Sequence, residues 1–144
     1  MRLWHKEMIP VLPRQQLIGQ WRECCCIARS IAIHNSPNHI LVNKICNFPL
    51  SHFYTYSRMI CEEMWNRGYS CDWSNFSKWV PGLAYSELEI PFDIIFEEDG
   101  ADGSAWHDER YFWQCYYNLE EKYDCGGISD EDWEVLCDEF AYKL

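Results

Sequence analysis

The chain has 144 residues, of which 48% are hydrophobic and 17% aromatic, so residues 1–144 can bury the core of one globular domain. No stretch has the apolar length of a signal peptide or a membrane span, which predicts a soluble protein inside the cell with no membrane partner. We also expect a monomer, and the cysteines described below favour the cytoplasm. The net charge of −11 weighs against a protein that binds nucleic acid, because cationic side chains supply much of the affinity for phosphate.

That charge is divided unequally along the chain. Residues 1–82 contain nine basic and five acidic residues, whereas residues 83–144 contain three basic and eighteen acidic residues. A basic N-terminal half can bind DNA while the acidic half faces solvent. Alternatively, the acidic half mimics DNA and binds a protein partner.

The nine cysteines indicate reduced thiols. Their number is odd and Cys24, Cys25 and Cys26 are consecutive, which does not suit a disulfide framework. No Cys-x-x-Cys pair occurs, and the remaining spacings do not predict a metal site. We therefore expect buried thiols, no metal and no cofactor.

The hydrophobic spacing predicts an all-α, compact single-domain fold of about four helices with long irregular loops. The first helix should run from Pro13 to Ile31 and bury one apolar stripe, which comprises Leu17, Trp21, Cys24, Ala28 and Ile31. Arg22 and Arg29 share one flank of this helix. The other flank holds Gln16, Gly19, Gln20 and Glu23, where Gly19 either leaves room beside Glu23 or marks close packing.

Residues 32–50 read as loop, with a short strand or a helical turn after His39. His39 and Lys44 are either phosphate contacts or solvated side chains. The second helix should span Ser51 to Arg67 and end at Gly68. Its predicted buried residues are Phe53, Ser57, Ile60 and Met64, with Tyr54, Tyr56 and Trp65 as further core.

A long irregular stretch, residues 70–106, precedes the third helix. That helix should run from Asp108 to Tyr123 and bury Phe112, Cys115 or Tyr116, and Leu119. Ser129 and Asp132 form a capping box that opens a last helix. Its stripe comprises Trp133, Leu136, Cys137 and Phe140, and residues 124–144 form an acidic helical extension.

The chemistry-bearing groups of the N-terminal region are the α-amine of Met1 and the carboxylate of Glu23. An α-amine has a pKa of about 8, against about 10.4 for lysine, so more of it is an unprotonated nucleophile near neutral pH. A nearby carboxylate can stabilise the imine cation that such an amine forms. Glu23 is the only acid between Glu7 and Glu62. Its alternative role is a solvated residue paired with Arg22 or Arg29.

Several residues occur in an order that characterises a known family. They are the Met1-Arg2-Leu3 start, Leu12, Gln15, Leu17, Trp21 and Arg22-Glu23, followed by weaker matches at His39-Ile40, 61–69, 107–109 and 119–122. In these residues the chain resembles the pyrimidine dimer DNA glycosylases of the phage endonuclease V type, over roughly residues 1–123. Residues 1–23 are the specific part of the resemblance.

The resemblance implies an enzyme that flips a nucleotide in double-stranded DNA with damaged bases. Such an enzyme cleaves the glycosidic bond through its terminal amine and nicks the strand by β-elimination. Met1 and Glu23 would be catalytic. The expected DNA-binding residues are Arg2, Arg22, Arg29, His39 and Lys44.

The chain departs from the family pattern at two positions. The best-known member exposes a threonine where this chain has Met1, and the bulky Arg2 should protect Met1 from removal. Cys26 stands where the family tends to have another arginine that contacts DNA. Two other functions remain open: a non-enzymatic inhibitor or binding protein with an acidic surface, and an imine-forming lyase acting on abasic sites or RNA.

Overall fold

The computed structural model describes residues 1–144 and is all-α, as the sequence predicts. Its five α-helices are α1 (Arg14–His34), α2 (Leu50–Asn66), α3 (Ser74–Ser77), α4 (Glu109–Asp124) and α5 (Asp130–Glu139). Short 3-10 helices span Lys6–Val11, Asn43–Asn47, Tyr85–Leu88, Phe92–Ile94 and Ala141–Lys143. No helix is long and apolar enough to cross a lipid bilayer.

Local capping explains where the long helices begin and end. The Asp108 side chain accepts a hydrogen bond of 2.8 Å from the Tyr111 N–H at the start of α4. The Ser129 hydroxyl accepts one of 3.1 Å from the Asp132 N–H at the start of α5, as the capping box predicts. Asn35, with φ at 56°, ends α1, and Gly68, with φ at 79°, follows α2.

A hydrophobic core of 29 buried residues draws on α1 to α5 and on the segments between them. The predicted stripe of α1 is buried except for Ile31, which is only partly covered, and Gln20 is buried although its flank was expected to be polar. The predicted stripes of α2 and α4 are buried, including both Cys115 and Tyr116, whereas Tyr54 of α2, also predicted to be core, is only partly buried. The apolar periodicity therefore predicts these faces well.

Trp65 was predicted to be core and is instead 42% exposed. It lies in the last turn of α2, where its indole N–H donates to the Cys71 carbonyl at 2.8 Å. The guanidinium of Arg58 stacks on the same ring, 4.7 Å from its centroid. A hydrogen-bonded indole with a cationic neighbour is stable at the surface, which periodicity alone does not reveal.

The long segment between α2 and α4 is not featureless. It contributes Phe76, Ile95 and Phe96 to the core. The Phe96 N–H donates to Nδ1 of His52 at 3.0 Å, and its carbonyl accepts from the N–H groups of Trp106 and His107, both at 2.8 Å. These bonds fix the position of the residues that lead into α4.

All nine cysteines are free thiols. Cys24, Cys61 and Cys115 are buried, whereas Cys26, at the position where the family tends to have an arginine, is exposed.

Two buried histidines should make the fold sensitive to acid. Burial lowers the pKa of His5 to about 4 and lowers the pKa of His107 well below its usual value. Unfolded histidine has a pKa of about 6.5, so below that pH the unfolded state binds more protons than the folded state. The free energy of unfolding should therefore fall as the pH drops from about 6.5 to about 4.

Thermal unfolding midpoints measured across this pH range test the prediction. A His5→Gln variant should show a flatter profile than the wild type. A variant of the exposed His34, His34→Gln, should reproduce the wild-type profile and serves as the control. If the His5→Gln and wild-type profiles coincide, His5 does not cause the acid sensitivity.

Candidate active site

Residues 1–5 have no regular secondary structure and lead into the 3-10 helix Lys6–Val11, and side chains of α1, of α2 and of the region that begins α4 bind the backbone of residues 2–6. Leu3, Trp4 and His5 are buried, whereas Met1 remains 42% exposed. The terminus is thus accessible at the end of a segment that the core fixes in place.

Gln20 of α1 is the central contact of this segment. Its side-chain oxygen accepts from the Trp4 N–H at 2.7 Å, and its amide nitrogen donates to the Arg2 carbonyl at 3.0 Å. The same nitrogen donates to the Glu23 carboxylate at 3.1 Å. One buried amide therefore ties the N-terminal backbone and Glu23 together.

Tyr56 of α2 and Tyr111 of α4 complete the attachment. The Tyr56 hydroxyl lies 2.7 Å from the Trp4 carbonyl and 2.9 Å from the Gln20 side-chain oxygen. Burial raises the pKa of both tyrosines, which keeps their hydroxyl protons available for donation. The Tyr111 hydroxyl donates to the Leu3 carbonyl.

His107, just before α4, fixes the far end of the segment. Its Nδ1 accepts from the Lys6 N–H at 3.0 Å, so the neutral ring carries its proton on Nε2. Lys6 itself is buried. Its ammonium group donates to the carbonyls of Asp93 and Ile95 and lies 3.3 Å from Glu97.

Glu23 is half-buried beside the terminus. Burial raises its pKa, and the positive α-amine and the backbone of Arg2 oppose that rise. His39 and Lys122 also lie close enough to lower this pKa. The α-amine forms no salt bridge with Glu23 within 4.0 Å, so it is near the carboxylate but not paired with it. A carboxyl group with a raised pKa is suited to exchanging protons near neutral pH.

A cleft opens next to the terminus. One part, of about 330 Å³, is lined by Arg2, Leu41, Tyr111 and Gln114. A larger part, of about 410 Å³, shares the last three of these residues and also contains Lys44 and Arg110. Hollows of this size accommodate small ligands, and this one is lined by three cations, Arg2, Lys44 and Arg110, and by one acidic residue, Asp108.

The remaining residues predicted to bind DNA lie in different surroundings. Arg22 is exposed on α1 and forms no salt bridge. Arg29 stacks its guanidinium on Trp79, 5.7 Å from the ring centroid. The structure thus places Met1, Arg2 and His39 close to Glu23, whereas Lys44 lines the larger part of the cleft. Arg22 lies at the surface of α1, and the Arg29 guanidinium packs on Trp79, which follows α3.

Sequence reasoning missed four residues that hold the site together. Gln20 was assigned to a polar flank, Tyr56 was expected only to fill the core, and Tyr111 and His107 had no assigned role. The hydroxyl group of a buried tyrosine needs a hydrogen-bond partner, and this is the one signal in the sequence that could have pointed to Tyr56. Partners far apart in sequence, such as Leu3 and Tyr111, leave no such signal.

Comparison with known proteins identifies the family. The family model for pyrimidine dimer DNA glycosylases matches residues 1–74, which is half of the chain. The chain belongs to this family. No curated protein and no solved structure shows significant similarity to it.

The match to the glycosylase family covers the N-terminal segment, α1 and α2, and it ends at the start of α3. It therefore includes Met1, Gln20, Glu23 and Tyr56. Tyr111 and His107, which complete the attachment of the terminus, lie beyond it, as do α4 and α5. The weaker resemblance at 107–109 and 119–122 lies outside the matched residues.

Proposed function

We propose that the chain is a DNA glycosylase with β-lyase activity on damaged pyrimidines, acting through an imine on the α-amine of Met1. The observation that carries this proposal is the attachment of residues 2–6, which holds an accessible terminus beside the half-buried Glu23. Membership of the pyrimidine dimer DNA glycosylase family supplies the substrate class.

The reaction begins with the unprotonated α-amine. Its lone pair attacks C1′ of the damaged nucleotide, the glycosidic bond breaks, and the base leaves with that bonding pair and takes up a proton. Opening of the sugar ring gives a protonated imine between C1′ and the α-nitrogen. The Glu23 carboxylate stabilises this cation.

The strand break follows from the imine. Glu23, as a base, removes a proton from C2′, and the electron pair forms the C2′–C3′ double bond while the 3′ phosphate leaves. Water then hydrolyses the imine and regenerates the amine. Because burial raises the pKa of Glu23, this carboxyl group holds a proton more readily than an exposed glutamate and is suited to both accepting and returning protons in the reaction.

The lysine nearest to the terminus in sequence is poorly placed to replace the α-amine. The Lys6 ammonium group is buried and contacts two carbonyls and Glu97. Burial lowers the pKa of Lys6, but a nucleophile must also be free to reach the sugar, and the burial and these contacts prevent that. The exposed Met1 terminus has no such contacts.

The overall negative charge is compatible with DNA binding if contact is confined to a surface that combines the basic N-terminal half with Arg110 of α4. Arg2, Lys44 and Arg110 line the cleft, and Arg22 lies exposed on α1. Local cations set the potential that a phosphate meets, and acidic residues elsewhere limit non-specific binding.

A duplex that carries a single pyrimidine dimer tests the proposed function. The protein should cleave a glycosidic bond of the dimer and then cut the strand at that position, while an undamaged duplex of the same sequence stays intact. Glycosidic cleavage without strand scission would remove the lyase activity from the proposal. Absence of DNA binding even at low salt would contradict it entirely.

Arg22→Ala should weaken binding to this duplex and reduce the salt dependence of the binding constant by about one phosphate contact. The exposed guanidinium of Arg22 has no partner of opposite charge in the chain. Arg29→Ala should have the smaller effect, because the Arg29 guanidinium already stacks on Trp79. Binding isotherms at several salt concentrations provide the measurement. Equal slopes for Arg22→Ala and the wild type would exclude Arg22 from the phosphate contacts.

Gly19→Ala should stabilise the fold and impair cleavage. A methyl group at Gly19 would meet no atom within 4 Å, so the higher helix propensity of alanine should add about 1 kcal/mol to the free energy of unfolding. Gly19 lies one turn before Glu23, on the surface that a sugar attacked by Met1 must approach. Denaturant titration and single-turnover cleavage measure the two effects. Full activity in a stabilised variant would show that the substrate does not use this space.

A further inference from the structure

The loop between α1 and α2 exposes two adjacent apolar side chains. Ile40 is 85% exposed and Leu41 is 49% exposed, whereas the next residue, Val42, is completely buried. Isolated apolar residues are common on surfaces, but two neighbours at the tip of a loop beside a cationic cleft form a specific feature.

The tip is held firmly. The Val42 and Asn43 N–H groups donate to the His39 carbonyl at 3.1 and 2.9 Å. The Asn43 side chain accepts from the His39 N–H at 3.1 Å, and His39 Nδ1 accepts from the Leu41 N–H at 3.2 Å. With Val42 anchored in the core, the loop presents Ile40 and Leu41 on a fixed support.

The tip also belongs to the wall of the cleft. Leu41 lines both parts of the cleft. Arg2 lines the smaller part with it, and Lys44 lines the larger part. His39 lies near enough to act electrostatically on Glu23. The apolar tip therefore lies on the same cleft as Arg2, the residue next to the α-amine.

We propose that Ile40 and Leu41 form a wedge that enters the DNA base stack at the lesion and fills the space left by an extruded nucleotide. This inference rests on the proposed function. Apolar side chains that insert between base steps unstack and kink a duplex, and extrusion of a base costs a few kcal/mol that such contacts offset.

The surroundings favour DNA over a protein as the occupant. A stable protein interface buries about 800 Å² on each partner, which a tip of two side chains cannot supply. The cations that flank the tip, Arg2, Lys44 and Arg110, suit the phosphates on either side of a widened base step. The three cations and the two apolar side chains together match a distorted duplex.

The test compares an Ile40→Ala, Leu41→Ala double variant with the wild type on two substrates. One is a fully paired duplex with a single dimer, and the other has the strand opposite the dimer interrupted by a gap, so that no intact pair needs to be opened. The double variant should cleave the glycosidic bond at least about 10-fold more slowly in the paired duplex and recover to within about 3-fold of the wild type on the gapped one.

Two controls isolate the wedge from other effects. Val135→Ala removes an apolar side chain of α5 that is 55% exposed, close to the 49% of Leu41, and should not change either rate. Glu23→Gln should be slow on both substrates, because a chemical defect is not relieved by a gap. Thermal unfolding should show the double variant folded, since exposed substitutions usually change stability by no more than about 0.5 kcal/mol.

The outcomes are distinct. If the double variant matches the wild type on the paired duplex, or is equally impaired on both substrates, Ile40 and Leu41 are not a wedge. If the wild type acts on neither substrate, the proposed function fails, and the wedge fails with it. A fluorescent base analogue beside the dimer provides a second readout. Its emission should rise on binding of Glu23→Gln and rise much less when the tip is also removed.

Discussion

Gln20→Ala should lower the free energy of unfolding by about 3 kcal/mol and abolish cleavage of damaged DNA. The substitution leaves the Trp4 N–H and the Arg2 carbonyl without their buried partner, and it removes an acceptor from Tyr56. Unpaired buried polar groups each cost about 1–3 kcal/mol. The segment should then detach, which separates the α-amine from Glu23.

Denaturant unfolding and single-turnover cleavage measure these two losses. Gln15→Ala is the matched control, because Gln15 is an exposed glutamine on the same helix. Its stability should stay within about 0.5 kcal/mol of the wild type. If Gln20→Ala is as stable and as active as Gln15→Ala, the terminus is not held by this amide.

Glu23→Gln should reduce the cleavage rate by about 10²- to 10⁴-fold while leaving the fold intact. Glutamine retains an oxygen that can accept from Gln20 but cannot exchange protons or stabilise a cation. Because burial raises the pKa of Glu23 in the folded state, ionisation of this carboxyl group opposes folding above its unfolded pKa. The variant should therefore be at least as stable as the wild type at pH 7.

This stability difference should disappear at pH values below the unfolded pKa of glutamate, about 4.3, where the carboxyl group is protonated in both states. Glu7→Gln provides the control, because Glu7 is an exposed glutamate. Its side chain is 42% accessible, and its carboxylate lies 3.7 Å from the ammonium nitrogen of Lys143. A Glu23→Gln protein that unfolds, with full activity in its folded fraction, would make Glu23 a structural residue.

Much of the fold could be predicted because it depends on local patterns. The apolar repeats of α1, α2 and α4 and the caps at Asp108 and Ser129 are encoded within a few residues of where they act. The sequence allows either a short strand or a helical turn after His39, and the structure has a 3-10 helix at Asn43–Asn47. The exposed indole of Trp65 escaped prediction because its partner, Cys71, lies beyond the helix.

The candidate site was only partly predictable for the same physical reason. Met1 and Glu23 are singled out by their chemistry and by the family resemblance, so their proximity could be expected. The hydrogen bonds that create it join residues up to 108 positions apart, as for Leu3 and Tyr111. Such pairings follow from the packing of α1, α2 and α4 and not from any local sequence pattern.

Borohydride reduction in the presence of abasic-site DNA tests the central claim most directly, because it converts an imine into a stable covalent bond. The account predicts a trapped protein–DNA adduct that mass spectrometry maps to the α-nitrogen of Met1. Lys44→Ala and Lys122→Ala should preserve the adduct, and acetylation of the α-amine should abolish it. An adduct that persists after acetylation, or that maps to a lysine, would contradict the account.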